Sequence, residues 1–109
     1  VFPSVPERDF VSSEDAWSEG MEYLGRDLPF HVHEVFEQRW RCAPESERST
    51  WQALAQWGAA LTHHARGNAI GQRRIAGRAQ TLLKSADDDG EIPSVIDMDV
   101  VRRSLAQLA

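Results

Sequence analysis

The sequence predicts an all-α fold, and three observations support this prediction. Apolar residues recur at helical spacing in five successive segments, Pro or Gly separates these segments, and no segment alternates apolar and polar residues as a strand does. A chain of 109 residues with 41% apolar residues and four Trp can enclose one modest core. We therefore predict a single compact bundle of about five helices around a buried central helix.

The N-terminal segment differs from the rest of the chain. Residues 1–11 contain two prolines and are predicted to form an extended arm, and residues 12–109 form the helical domain. Ser12 or Ser13 can cap the first helix, and Gly25 is a suitable residue for its end.

The next two helices are separated by a proline. The second should begin near Phe30 and end at Cys42, because the residue before Pro44 disfavours the helical region of φ and ψ. The third should continue to about Arg66. It is apolar on nearly all sides, which is typical of a buried helix, and we predict that it is the central one.

The remaining helices have clear start signals. Gly67 suits the left-handed position after the third helix, and Asn68 can cap a fourth helix over about residues 69–86. Residues 87–91 read as a solvated acidic loop. Asp97 can cap a last helix that carries its own apolar stripe.

Two of the helices place polar side chains where an ordinary core would have Leu. At about 100° per residue, His33 and Glu37 share the apolar face of the second helix, and Gln56 and His63 share a stripe of the third. If these faces meet, the four side chains converge in a largely dry place, where each must find a partner. Three interpretations remain open: a structural hydrogen-bond network, a metal site, and a site for another small ligand.

In the metal interpretation, His33, Glu37 and His63 hold a divalent cation such as zinc, and water completes the coordination. Glu34 or Glu37 would then act as general base on the bound water. The pattern is not the H-E-x-x-H motif of zinc proteases. In the structural interpretation, the same groups with Gln56 fix the register of two packed helices.

Other polar and aromatic residues are weaker candidates. His31 and His64 fall outside the shared stripes and are expected at the surface or at a rim. Trp40 could form the floor of a pocket, although core packing is the favoured interpretation. Arg66 could bond to the carbonyl groups at the end of its own helix or to the glutamates of the second helix.

Composition restricts the partners. The formal net charge of −5 argues against nucleic acid, and no apolar run is long enough to span a membrane. The single cysteine, Cys42, suits a reducing compartment, so we expect a cytoplasmic location. The chain begins at Val1 instead of Met, as a piece of a longer protein would.

The fourth helix carries a basic face, made of arginines at 73, 74 and 78 together with Lys84. Such a face is usually solvated. It could also bind an acidic partner or a second copy of the chain, and a homo-oligomer is compatible with it.

Over roughly residues 14–84 the chain resembles a bacterial and archaeal family called domain of unknown function 309. The residues that carry the resemblance are Gly25, H-E-V-F-E from His33 to Glu37, Trp40, Leu54, Gln56, Ala59 to Leu61, H-H-A-R-G-N from His63 to Asn68, and Gly71. Ala53 and Thr62 depart from the family pattern. The resemblance implies an all-helical fold, and the family is sometimes labelled a predicted metal-dependent hydrolase.

Overall fold

The computed structural model describes residues 5–109, and the first four residues of the predicted arm lie outside this range. The described chain forms five α-helices, and it contains no strand. The all-α prediction is therefore confirmed. The helices are α1 (Ser13–Gly25), α2 (Pro29–Cys42), α3 (Arg48–Ala65), α4 (Ala69–Asp88) and α5 (Met98–Leu108), and a short 3-10 turn (Glu45–Glu47) precedes α3. None of these helices is long and apolar enough to cross a membrane.

The helix ends follow the predicted capping signals. The Ser12 hydroxyl accepts from the Asp15 amide at 3.1 Å, and the Asp97 carboxylate accepts from the Asp99 amide at 3.1 Å. Gly67 has a φ of 74°, the left-handed conformation expected after α3. Helix α4 extends to Asp88, so the acidic loop is shorter than predicted, because the buried apolar face of α4 continues to Ala86.

Helix α3 lies at the centre of the bundle, as predicted. It packs against α2, α4 and α5, and Trp51, Leu54 and Trp57 on α3 are fully buried. The Phe36 ring of α2 lies 5.9 Å from the ring of Trp51 and 6.2 Å from that of Trp57. Aromatic pairs at these separations stabilise a core beyond their burial, so these rings strengthen the contact between α2 and α3.

Helices α2 and α3 cross at very short distance beside His33. A Cβ atom built on Gly58 would lie 2.6 Å from the Cα and the amide nitrogen of His33. Only glycine fits this approach without a backbone shift. The crossing therefore fixes His33 against the backbone of α3.

The segment before α1 is fastened to α2 by side chains. Gln38 Nε2 donates to the Pro6 carbonyl at 2.8 Å, and Arg8 Nε donates to Gln38 Oε1 at 2.8 Å. The Arg8 guanidinium also binds both carboxylate oxygens of Glu19, at 3.0 and 2.6 Å. This bidentate hydrogen bonding raises the pKa of Arg8, so Arg8 stays charged at any pH at which the fold exists.

Candidate functional site

The candidate site is centred on the His33 imidazole, whose two ring nitrogens have different partners. Nδ1 lies 2.8 Å from the carbonyl oxygen of Ala55 on α3, and Nε2 lies 3.1 Å from Glu37 Oε2, one turn along α2. A carbonyl oxygen can only accept, so Nδ1 carries a proton. The Glu37 carboxylate also only accepts, so the 3.1 Å contact requires a proton on Nε2 as well, and a bound cation would take the place of that proton.

Glu37 links the imidazole to further charged groups. Its second oxygen, Oε1, accepts a hydrogen bond from Nη2 of Arg41, the next turn of α2. The other guanidinium nitrogen, Nη1, lies 3.9 Å from Glu7. The side chains of His33 and Glu37 are 26% and 34% exposed. The prediction of a largely dry cluster is therefore wrong, because this edge of α2 lies at the rim of the α2–α3 contact.

These groups open into a cleft of about 180 Å³ on the outer side of α2. Three carboxylates face one guanidinium in it, so negative charge dominates. Glu34 takes part, and its Oε1 accepts a long hydrogen bond of 3.5 Å from the Val5 amide. The cleft is lined by Glu7, Phe30, His33, Glu34, Glu37, Gln38 and Arg41.

Gln56 and His63 do not join this cluster. Gln56 Oε1 is buried without a hydrogen-bond partner in the described part of the chain, and His63 Nδ1 lies 3.2 Å from Asn68 Nδ2. The predicted network of four side chains is therefore not formed. Gln56 and His63 share a helical stripe, but His63 lies beside α4, where a Cβ atom on Gly71 would come within 3.0 Å of its ring.

His63 and Asn68 together build the turn between α3 and α4. Asn68 Oδ1 accepts from the Gly71 amide at 3.0 Å and caps α4, while the Asn68 amide nitrogen donates to the His63 ring. A Cβ atom on Gly71 would lie 2.8 Å from Asn68 Nδ2 and 3.0 Å from His63 Nδ1. His63 and Asn68, the first and last residues of the H-H-A-R-G-N segment, therefore have a structural role in this turn.

The metal site of His33, Glu37 and His63 is not assembled. Within residues 5–109, no group of three or more His, Cys, Asp or Glu side chains is placed to hold a metal ion. His33 and Glu37 are in contact, but the His63 ring is held by Asn68 at the α3–α4 turn.

The weaker candidates fall in different environments. His31 is buried, 5.1 Å from the Tyr23 ring, so its predicted exposure is wrong: α1 covers this side of α2. His64 and Arg66 are exposed as part of the α3–α4 turn. Trp40 is half-buried against the core, with the Arg48 guanidinium 4.9 Å from the centre of its ring.

A buried polar cluster lies elsewhere on α2, and the sequence reasoning missed it. Arg39 is 6% exposed, and its two terminal nitrogens donate to the Val11 carbonyl and to Glu47 Oε1, each at 3.1 Å. The same Glu47 oxygen accepts from Trp51 Nε1 at 3.0 Å. The sequence feature that could have revealed this cluster is the position of Arg39, which lies three residues after Phe36 on the core face of α2.

The fold and the cleft define a small all-α domain with an acidic, partly open His–Glu site. Residues 17–75 match the family model described as Domain of unknown function (DUF309). The match covers more than half of the chain, so the chain belongs to this family. No curated protein and no solved structure matches the chain.

Proposed function

We propose that the acidic cleft on α2 binds a divalent cation through His33 Nε2 and Glu37 Oε2. The observation that supports this proposal is the 2.8 Å contact between His33 Nδ1 and the Ala55 carbonyl. It holds one ring proton on Nδ1, so a cation can replace the proton by which Nε2 now pairs with the Glu37 carboxylate. Metal-binding histidines commonly donate their second nitrogen to a backbone carbonyl in this way.

The donor set also fits a cation. One imidazole nitrogen and one carboxylate oxygen suit zinc or manganese, and the acidic lining adds long-range attraction. The Arg41 hydrogen bond holds the Glu37 carboxylate and leaves Oε2 directed at His33. With two protein ligands and water for the rest, we expect weaker binding than at a zinc site with three or four protein ligands.

The test is calorimetric titration of the tag-free protein with zinc or manganese chloride. We expect one cation per chain, and Glu37→Gln should weaken binding at least about tenfold, because the neutral amide is a poorer ligand. Glu22→Gln and His64→Gln alter an exposed carboxylate and an exposed histidine outside the cleft and should bind like the wild type. No heat of binding at millimolar cation would reject the proposal, and Glu37 and His33 would then form a structural ion pair.

A second candidate function is hydrolysis, and the position of Glu34 in the same cleft favours it. A bound cation would supply an acidified water molecule. Glu34 could accept the proton of that water, and Arg41 could bind an anionic group of a substrate. If so, Glu34→Gln abolishes hydrolysis of p-nitrophenyl phosphate or acetate in the presence of manganese and leaves cation binding intact. Absence of turnover with both substrates would leave binding as the function of the site.

We also propose that the protein is located in the cytosol. It rests on Cys42, a free and half-buried thiol whose hydrogen-bond acceptors are the carbonyl oxygens of Val11 and Arg39, at 3.6 Å each. A reducing compartment would preserve this thiol. Fluorescence of the tagged chain in its native cell provides the test.

A further inference from the structure

The outer face of α4 has an uneven distribution of charge. Between residues 69 and 84 the helix has four cationic side chains and no acid, and its acidic residues, Asp87 and Asp88, lie at its C-terminal end. Arg74 and Arg78 are like charges one turn apart. Their repulsion opposes helix stability, and an approaching carboxylate would relieve it.

The arginines of this face have no internal partner. None of the ion pairs within residues 5–109 includes Arg73, Arg74 or Arg78, and all three are exposed. Lys84 differs, because its Nζ lies 3.0 Å from Asp88 Oδ2 of its own helix. Guanidinium groups bind carboxylates in a bidentate manner, so the free arginines favour a carboxylate partner.

Small residues occupy the middle of the same face. Successive residues of a helix are about 100° apart around its axis. One stripe of α4, about 100° wide, therefore contains Arg74, Gly77, Thr81, Ser85 and Asp88. A Cβ atom built on Gly77 would meet no atom within 4 Å, so no residue of the described chain covers the stripe there. The stripe therefore has a cation at one end, an acid at the other, and room for a close neighbour between them.

We propose that α4 docks on α4 of a second copy of this chain, antiparallel and centred on Thr81. Arg74 and Asp88 each lie seven residues from Thr81. In this register, Arg74 of each copy meets Asp88 of the other, and the two-fold axis produces the pair twice. The small residues near the axis permit an interaxial distance near the lower limit of about 8 Å.

The charge of the whole chain favours a second copy over an extended polyanion. A net charge of −5 repels a nucleic acid or an anionic membrane strongly. A second copy carries the same −5, a much smaller charge than that of a polyanion, and it presents a few carboxylates at the required spacing. The register also brings Arg78 towards Lys84 of the other copy, which opposes association. A single helix pair buries less than a standard interface of about 1,200 Å², so we expect a salt-sensitive dimer with a micromolar dissociation constant.

Sedimentation equilibrium of the full chain at low and high ionic strength tests the proposal. We expect dimers at low salt. Arg74→Asp and Asp88→Arg should each weaken the dimer about tenfold, since each creates two repulsive contacts. An equal mixture of the two variants should recover the dimer, because both contacts become Arg–Asp pairs. The double variant Arg74→Asp/Asp88→Arg should recover it for the same reason, and Lys84→Glu should strengthen it.

The control is Arg103→Asp, which reverses an exposed arginine on α5 and should leave the dimer unchanged. Circular dichroism of each variant verifies that the helices are intact. A wild type that stays monomeric at low salt would overturn the proposal. Folded single variants whose mixture stays monomeric would overturn it as well.

Discussion

Helix α2 carries two polar clusters, and they differ in solvent access. The His33 cluster, formed with Glu37 and Arg41, is a quarter to a half exposed and opens into a cleft. The Arg39 cluster, formed with Glu47 and Trp51, has an arginine that is 6% exposed, with its ring neighbours packed around it. The buried charges of the Arg39 cluster therefore stabilise the fold, whereas the accessible charges of the His33 cluster remain available for a ligand.

The difference follows from the position of each cluster relative to α3. Arg39 lies on the core face beside Phe36, and the arm covers it through the Val11 carbonyl. His33 lies at the rim of the α2–α3 crossing, where Gly58 brings the two backbones together. In the described chain, the cleft beside it is lined by side chains of α2 and by Glu7 of the arm. Desolvation therefore acts on one cluster much more than on the other.

The largest effect is expected from Glu47→Ala. This change leaves Arg39 Nη2 and Trp51 Nε1 without their acceptor inside the protein. Loss of one partner of a buried ion pair should lower the free energy of unfolding by about 3 kcal/mol, measured by urea denaturation. Glu45→Ala changes an exposed acid of the same 3-10 turn and is the matched control. Equal losses in the two variants would contradict a structural role for the Arg39 cluster.

Gly58→Ala should rank second. The added Cβ overlaps the His33 backbone, so α2 and α3 must separate, at a cost of about 2 kcal/mol in the free energy of unfolding. The same shift moves His33 away from the Ala55 carbonyl and should weaken cation binding. Gly25→Ala, where a Cβ would meet no atom within 4 Å, serves as the control. A Gly58→Ala protein with wild-type stability would show that the crossing tolerates a wider separation.

Substitutions of Asn68 should have a smaller effect. Asn68→Ala removes the cap on the Gly71 amide and the contact with His63, and should lower the free energy of unfolding by about 1 kcal/mol. Asn68→Asp keeps the cap acceptor and should retain most of that stability. Thermal melting compares the two variants. If Asn68→Asp were as unstable as Asn68→Ala, the His63 contact would be the more important of the two.

The smallest stability effect is expected from Glu37→Gln. The carboxylate is about one-third exposed, so its ion pairs with His33 and Arg41 are screened by solvent. The free energy of unfolding should therefore fall by less than about 1 kcal/mol, while cation affinity drops about tenfold. A loss as large as that of Glu47→Ala would remove the distinction between the two clusters.

The fold was predictable to a large extent, because its signals are local. Helix ends are marked by the backbone and side-chain chemistry of Ser12, Gly67, Asn68 and Asp97, and α3 is apolar on nearly all sides. The site was predictable only in part. His33 and Glu37 are one turn apart on one helix, so their contact follows from helix geometry alone.

Contacts between helices were not predictable in the same way. The wheel placed Gln56 and His63 on one stripe of α3, but it does not show which neighbouring helix each end of that stripe contacts. It also could not show that a single glycine sets the crossing point, or that residues about thirty positions earlier cover Arg39. Burial of His31 depends likewise on the docking of α1. These features depend on the relative placement of whole helices, which no local pattern encodes.

The backbone of the N-terminal arm is attached mainly through its carbonyl groups. The Pro6 carbonyl accepts from Gln38 and the Val11 carbonyl from Arg39, whereas within residues 5–11 the one amide that donates a hydrogen bond is that of Val5, at 3.5 Å. Hydrogen exchange reports on amides. The amides of the arm should therefore exchange like those of an unfolded segment, although the Val5 and Val11 side chains are buried. A map of hydrogen-exchange protection would then place the start of the domain at α1, several residues after the first residue that packs against the core.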